Sequence, residues 1–131
     1  MDFKKEFSTN KTFEETGVWV AIGEGGELKI ARAGSKKALK YSREVAKPHM
    51  AQITYGKLPD DVSDQLTIEV MAECILLDWK NMTYDGKLLP YSKENAIKLL
   101  TEEQDFRDMV SRISNERKTF QQQIEEAIIK N

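Results

Sequence analysis

At 131 residues and 15.1 kDa the chain has the length of one domain with one core. Its 40% hydrophobic and 32% charged residues fit a soluble globular protein, and its longest purely aliphatic run, Ile75-Leu76-Leu77, falls far short of the roughly 20 apolar residues a membrane span needs. A formal charge of −2 and a pI near 5.5 argue against nucleic-acid binding by the chain as a whole, and one cysteine, Cys74, leaves no intrachain disulfide.

Residues 1–16 are polar, with Phe3, Phe7 and Phe13 irregularly spaced, so a loose arm and a short docked helix fit equally. The opening MDFKKEFSTNKTFEE carries acids and no apolar stretch, so no secretory signal is expected and cytoplasmic residence is the default. From Gly17 the pattern alternates: Val18, Val20 and Ile22 on one face, Trp19 and Ala21 on the other. After Gly23-Glu24-Gly25-Gly26, Leu28 and Ile30 resume the alternation, which predicts a β-hairpin over 17–32. The GEGG run lacks the third glycine and the preceding strand–helix context of a dinucleotide-binding loop and reads as a hairpin turn.

Ser35 is placed to cap a helix whose thin apolar stripe is Ala38, Leu39, Ser42, Val45 and Ala46. Pro48 either ends it or opens a second short helix with Met50, Ile53 and Tyr55, which Gly56 closes. Residues 62–92 are the organising stretch. Val62, Leu66, Val70, Met71, Cys74, Ile75, Leu76, Leu77 and Trp79 predict a central helix buried on more than one side. Pro59, Asp60, Asp61 and Ser63 mark its start, and Asp85-Gly86 and Pro90 its end, with Leu66, Val70, Ile75, Leu77 and Trp79 expected in the core. A further helix follows Ser92, and the Thr101/Gln104 capping-box pattern starts another with Phe106, Met109, Val110 and Ile113 as its stripe. That stripe returns as Phe120, Ile124, Ala127 and Ile128, in one long helix or two, with Asn115 the expected break.

Charge is unevenly distributed. Residues 36–47 carry five basic side chains against Glu44, whereas residues 60–78 carry six acids and no Lys or Arg. Two solvated helix faces attracting one another account for this, as does a dipolar surface that steers a protein partner. A small nucleic-acid-binding regulator built on the basic segment is a weaker reading, since the chain is acidic overall. Catalytic equipment is sparse. His49 is the only histidine, Cys74 lies in the most apolar stretch, and Glu69 and Glu73 share a helix face without an accompanying base or nucleophile. No CxxC or HExxH pattern is present. No catalytic, cofactor-binding or metal-ligating residue is therefore assigned, and a non-enzymatic interaction protein is expected.

The segments Asp78-Trp79-Lys80-Asn81-Met82, Asp85-Gly86-Lys87-Leu88-Leu89-Pro90-Tyr91-Ser92 and Glu94-Asn95-Ala96, with Leu99-Leu100, Phe106 and the closing Phe120 segment, carry a family likeness. Together with the Gly-rich hairpin they resemble tail assembly chaperones of long-tailed bacteriophages, over about residues 17–131. The elements read along the chain predict a single α+β, predominantly helical domain, with an N-terminal hairpin packed on four or five helices over residues 35–131. The resemblance implies a small cytoplasmic protein made in the host, absent from the mature virion, that binds the tape measure protein and keeps it soluble. Tail tube subunits would be recruited through a longer, frameshifted form, for which Lys130-Asn131 are compatible with a slippery site. The expected contacts are Lys36, Lys37, Lys40 and Arg43 for steering and Ile124 and Ile128 for apolar docking, with neither nucleic acid nor membrane as a partner. A minor tail or head–tail joining protein retained in the virion is the alternative.

Overall fold

The computed structural model describes residues 1–121. Helices α1 (Phe3–Phe7) and α2 (Lys11–Thr16) open the chain, each capped by the preceding polar residue. Asp2 accepts from the Lys5 amide and Asn10 from the Phe13 amide. Strands β1 (Val18–Gly23) and β2 (Gly26–Ile30) form the expected hairpin. Val18 pairs with Ile30 and Val20 with Leu28, and both Glu24 and Gly25 of the two-residue loop take positive φ (52° and 80°), as a tight right-twisted hairpin requires.

Helix α3 (Lys36–Ala46) starts where Ser35 accepts from the Ala38 amide, then passes through a 3₁₀ turn at Lys47–His49 into α4 (Met50–Thr54). Two short helices joined at Pro48 are thus realised, with Gly56 at φ 65° just beyond the second. Helix α5 (Asp60–Val70) follows Pro59, with Asp60 and Asp61 in its first turn and no side-chain cap.

The sequence reading then departs from the structure. The central helix does not reach Trp79. It widens into a π-helical turn at Met71–Ile75 and ends, and the next residues form strand β3 (Leu76–Lys80), antiparallel to β2 in a sheet of order β1-β2-β3. Residues 35–121 are accordingly not helical throughout. An aliphatic run as short as Ile75-Leu76-Leu77 suits a buried strand as well as a buried helix by periodicity, and the open edge of β2 decides it. Leu76 pairs with Ile30 and Trp79 with Leu28, with a bulge that accommodates Leu77. Gly17, at φ 90°, lies under this bulge. A Cβ there would stand 3.0 Å from Leu77 Cδ1 and 3.1 Å from Lys29 Cγ, a tight fit that adds to the backbone strain any side chain would meet at this φ. Asp85-Gly86 provides a turn with two positive φ values, as expected, but it joins the small ribbon β4 (Thr83–Tyr84) and β5 (Lys87–Leu88) instead of ending a helix.

Helix α6 (Lys93–Glu102) is capped by Ser92, which accepts from the Asn95 amide, and α7 (Gln104–Asn115) follows. The capping box is not formed. Thr101 sits inside α6, its hydroxyl donating to the Ile97 carbonyl at 2.7 Å, and Glu103 separates the two helices. Asn115 does mark a break: Glu116 is extended before residues 117–121 turn helical again. Residues 122–131, with Ile124, Ala127 and Ile128, lie outside the described residues.

Packing gathers on one side of the sheet. Leu28, Ile30 and Leu76 are fully buried, and against them lie Met71, Ala72, Cys74 and Ile75 of the π turn, Ala96 and Leu100 of α6, and Val110 of α7. Ile75 and Trp79 are core residues as expected, whereas Leu66, Val70 and Leu77 are half-buried. Trp79 is locked by two contacts. Its indole N–H donates to the Leu89 carbonyl at 2.7 Å, and the Tyr91 ring meets it edge-on at 5.0 Å. The Tyr91 hydroxyl in turn donates to the Leu76 carbonyl at 2.8 Å.

Of the two possibilities left open for residues 1–16, the docked helix is found. Glu14 is buried and accepts from Thr9 and, at 2.8 Å, from Arg32, while the Arg32 amide donates to the Glu14 carbonyl. Gln121 donates to the carbonyls of Glu6 and Ser8 at 2.7 and 2.9 Å, and Arg117 lies 4.4 Å from the Phe7 ring centre. Burial alone would raise the Glu14 carboxyl. The hydrogen bonds from Thr9 and Arg32 and the charges of Lys11 and Arg32 outweigh it and hold the group below the ordinary carboxylate value.

Tyr91→Phe leaves the buried Leu76 carbonyl without this donor and should lower stability by about 1–2 kcal/mol. Urea unfolding should show a lower midpoint with the slope unchanged. Because Glu14 has a depressed folded-state pKa, its contribution is complete above the unfolded carboxylate value. It fades as pH falls through the folded one and is absent below both. Glu14→Gln should therefore destabilise the protein at pH 7, by about 1–3 kcal/mol, and flatten the acid limb of the stability–pH curve. An acid limb identical in slope to that of the wild type would refute the assignment.

Candidate partner-binding surface

Ser35 sets the start of α3, and the helical repeat then sorts its side chains. Ala38, Tyr41 and Val45 turn inward. Lys36, Lys40, Arg43 and Lys47 recur at three- and four-residue spacing as one exposed ridge, with Leu39 along its border and Lys37 beside it. The structure thus brings the four predicted steering residues, Lys36, Lys37, Lys40 and Arg43, together on one helix. Among the described residues none of them has a carboxylate within 4 Å.

Two acids of the acidic stretch are engaged elsewhere. Lys93 of α6 lies 3.6 Å from Glu69 and 2.6 Å from Glu73, and the Tyr41 hydroxyl donates to Glu69 at 2.8 Å. The hydrogen bond from Lys93 is the main cause that lowers the Glu73 pKa and raises that of Lys93, and the bond to Glu69 raises that of Tyr41. Helices α3 and α5 do pack side by side, yet the cation that bridges Glu69 of α5 and Glu73 of the π turn is Lys93, and among the described residues no α3 lysine lies within 4 Å of either. The basic ridge is left facing outward.

Beside the ridge lies an apolar crevice of about 210 Å³ between α3, α5 and α7, bordered by Ser42, Leu66, Val70, Met71, Ile75 and Ser111. The half-burial of Leu66 and Val70 is explained by it. Past the 3₁₀ turn, α4 buries none of its residues and packs closely only on the turn that leads into it. Met50, Ile53 and Tyr55 are 49%, 40% and 76% exposed, and Leu39 of α3 is 46% exposed although its place in the apolar stripe predicts burial. Sequence reasoning missed these four as surface residues. For Met50, Ile53 and Tyr55 the available signal was length: a helix of one and a half turns between Pro48 and Gly56 cannot both bury a face and cross the core.

The remaining chemistry-bearing residues are dispersed. His49 is half-buried in the 3₁₀ turn, and Cys74 is buried, its thiol pushed up by burial. No group of three or more His, Cys, Asp or Glu among the described residues is placed to hold a metal ion, and no described helix is long and apolar enough to cross a membrane. Ile124 and Ile128 lie outside the described residues.

Comparison with known families places this chain among phage-derived proteins. Residues 31–131 match the family described as YdaY prophage protein, and the chain belongs to that family. The matched span includes α3 through α7 and strand β3, while α1, α2, β1 and β2 precede it. No curated protein and no solved structure matches the chain.

If the ridge and α4 are not part of the core, Leu39→Ser and Ile53→Ser should each change unfolding free energy by less than about 1 kcal/mol, against about 2–5 kcal/mol for Ile75→Ala. Thermal melts of the three variants provide the check.

Proposed function

We propose that this prophage protein is a non-enzymatic tail assembly chaperone that binds the tape measure protein, holds it soluble and helps bring tail tube subunits to it. The observation that carries the reading is the α3–α4 surface: apolar side chains held out of the core beside a basic ridge that has no carboxylate within 4 Å among the described residues. A long helical tape chain exposes apolar stripes that aggregate when free, and a chaperone needs a surface that covers them reversibly. Lys36, Lys37, Lys40 and Arg43 serve as the steering charges, which raise the encounter rate more than the final affinity. Reversible cover also suits a protein that acts in the host cytoplasm and leaves before the particle is finished. The phage origin and the resemblance of residues 78–106 to tail assembly chaperones point the same way.

Co-expression with the long helical protein encoded beside it tests the reading. The tape measure protein should stay in the soluble fraction only when this chain is present, and particles purified after induction of the prophage should lack it. An insoluble tape protein in both cases would refute the chaperone role. Retention in purified particles would assign it instead to a minor tail or head–tail joining component.

A further inference from the structure

The structure assigns the arm formed by α3 and α4 a partner of particular chemistry: we propose that it docks an acidic amphipathic helix of another protein. Leu39, Ile53 and Tyr55 provide the apolar contact, and Lys36, Lys40 and Arg43 meet the partner's carboxylates. The inference deepens the chaperone reading and rests on it only for the identity of the protein that carries the helix.

Three observations lead here. Helix α4 projects from the domain with no residue buried, although three of its six residues through Tyr55 are large and apolar. A helix of five residues is too short to hold its form by backbone bonding alone, so an apolar face left bare on it is conspicuous. Next, charge selects the occupant. Residues 36–57 carry six Lys or Arg against the single acid Glu44; of the six acids at 60–78, Glu69 and Glu73 are engaged by Lys93, and among the described residues no carboxylate lies within 4 Å of Lys36, Lys40 or Arg43. A second copy seated symmetrically on this face would set Lys36, Lys40 and Arg43 against their own counterparts, a like-charge contact, whereas an acidic helix supplies complementary charge at each of them. Finally, the crevice bordered by Ser42, Leu66 and Val70 adjoins the Leu39 side of α3, and at about 210 Å³ it admits one aliphatic or aromatic side chain of the docked helix.

The test uses two stapled amphipathic helical peptides with leucine along one face and either glutamate or lysine along the other. Binding is followed by fluorescence anisotropy against the full-length chain at low and high salt. The glutamate peptide should bind at least about tenfold tighter than the lysine peptide and weaken as salt rises. Ile53→Ser/Tyr55→Ser should abolish binding of both, and Lys40→Glu/Arg43→Glu should invert the preference. All four substitutions are at surface positions, and thermal melts confirm that the variants are folded. Equal binding of the two peptides, no binding of either, or wild-type affinity in the serine variant would overturn the proposal. So would sedimentation showing that the wild type self-associates and the serine variant does not, which would give this face to a second copy. If the charge-reversed variant keeps the tape measure protein soluble as well as the wild type does, the docking proposal fails and the chaperone role stands. If the wild type fails to solubilise it while the peptide preference holds, the chaperone role fails and the docking site stands.

Discussion

Strand β2 has two edges, and the molecule is built around filling the second. Leu28 and Ile30 are fully buried, so the backbone donors and acceptors between them are out of reach of water and have to find partners within the chain. The hairpin satisfies one edge through β1. The other is satisfied only if residues far along the sequence abandon a helix that their side chains would otherwise extend. Leu76 and Trp79 do so, facing Ile30 and Leu28 across the ladder. The widened turn at Met71–Ile75 is the transition between the two regimes, turning Met71, Ala72, Cys74 and Ile75 into the core before the backbone straightens. Everything C-terminal to it, including the Trp79–Tyr91 contact and the seating of α6, takes its position from where β3 lies.

Much of the fold was legible because local chemistry and final structure agree. Ser35, Ser92, Pro48, Gly56 and the Gly-rich turn each act where their backbone preferences put them. The break after Asn115 fell where a poor helix former sits in a polar patch. What could not be read was the strand within the most apolar stretch, since a five-residue buried segment carries no period of its own and its state is set by an edge some fifty residues earlier. The capping box misled for a related reason. Thr101 found an acceptor one turn back in a helix that already had its own momentum, and no fresh start was needed.

For the surface, the basic ridge was visible as composition, but its meaning depended on where the acids went. That was decided by Lys93, a residue with no special mark in the sequence, reaching across from α6 to Glu69 and Glu73. Exposure at Leu39 was likewise a tertiary result: an apolar residue on the edge of a stripe is covered only where a neighbouring element reaches it, and Leu39 stays 46% exposed. Membership of a prophage family beginning at residue 31 sharpens the picture of the N-terminal thirty residues, which lie outside the matched span and yet supply two of the three strands of the sheet.

The N-terminal helices bear on how the chain comes to its final form during translation. Glu6 and Ser8 hold Gln121, and Phe7 meets Arg117, across separations of more than a hundred residues. At about 5–20 residues per second, ribosomal synthesis leaves α1 without these partners for on the order of ten seconds after it is made. Helix α1, made well before its partners, is thus among the last of these elements to settle, and Phe3 and Phe7 lack those contacts throughout that interval.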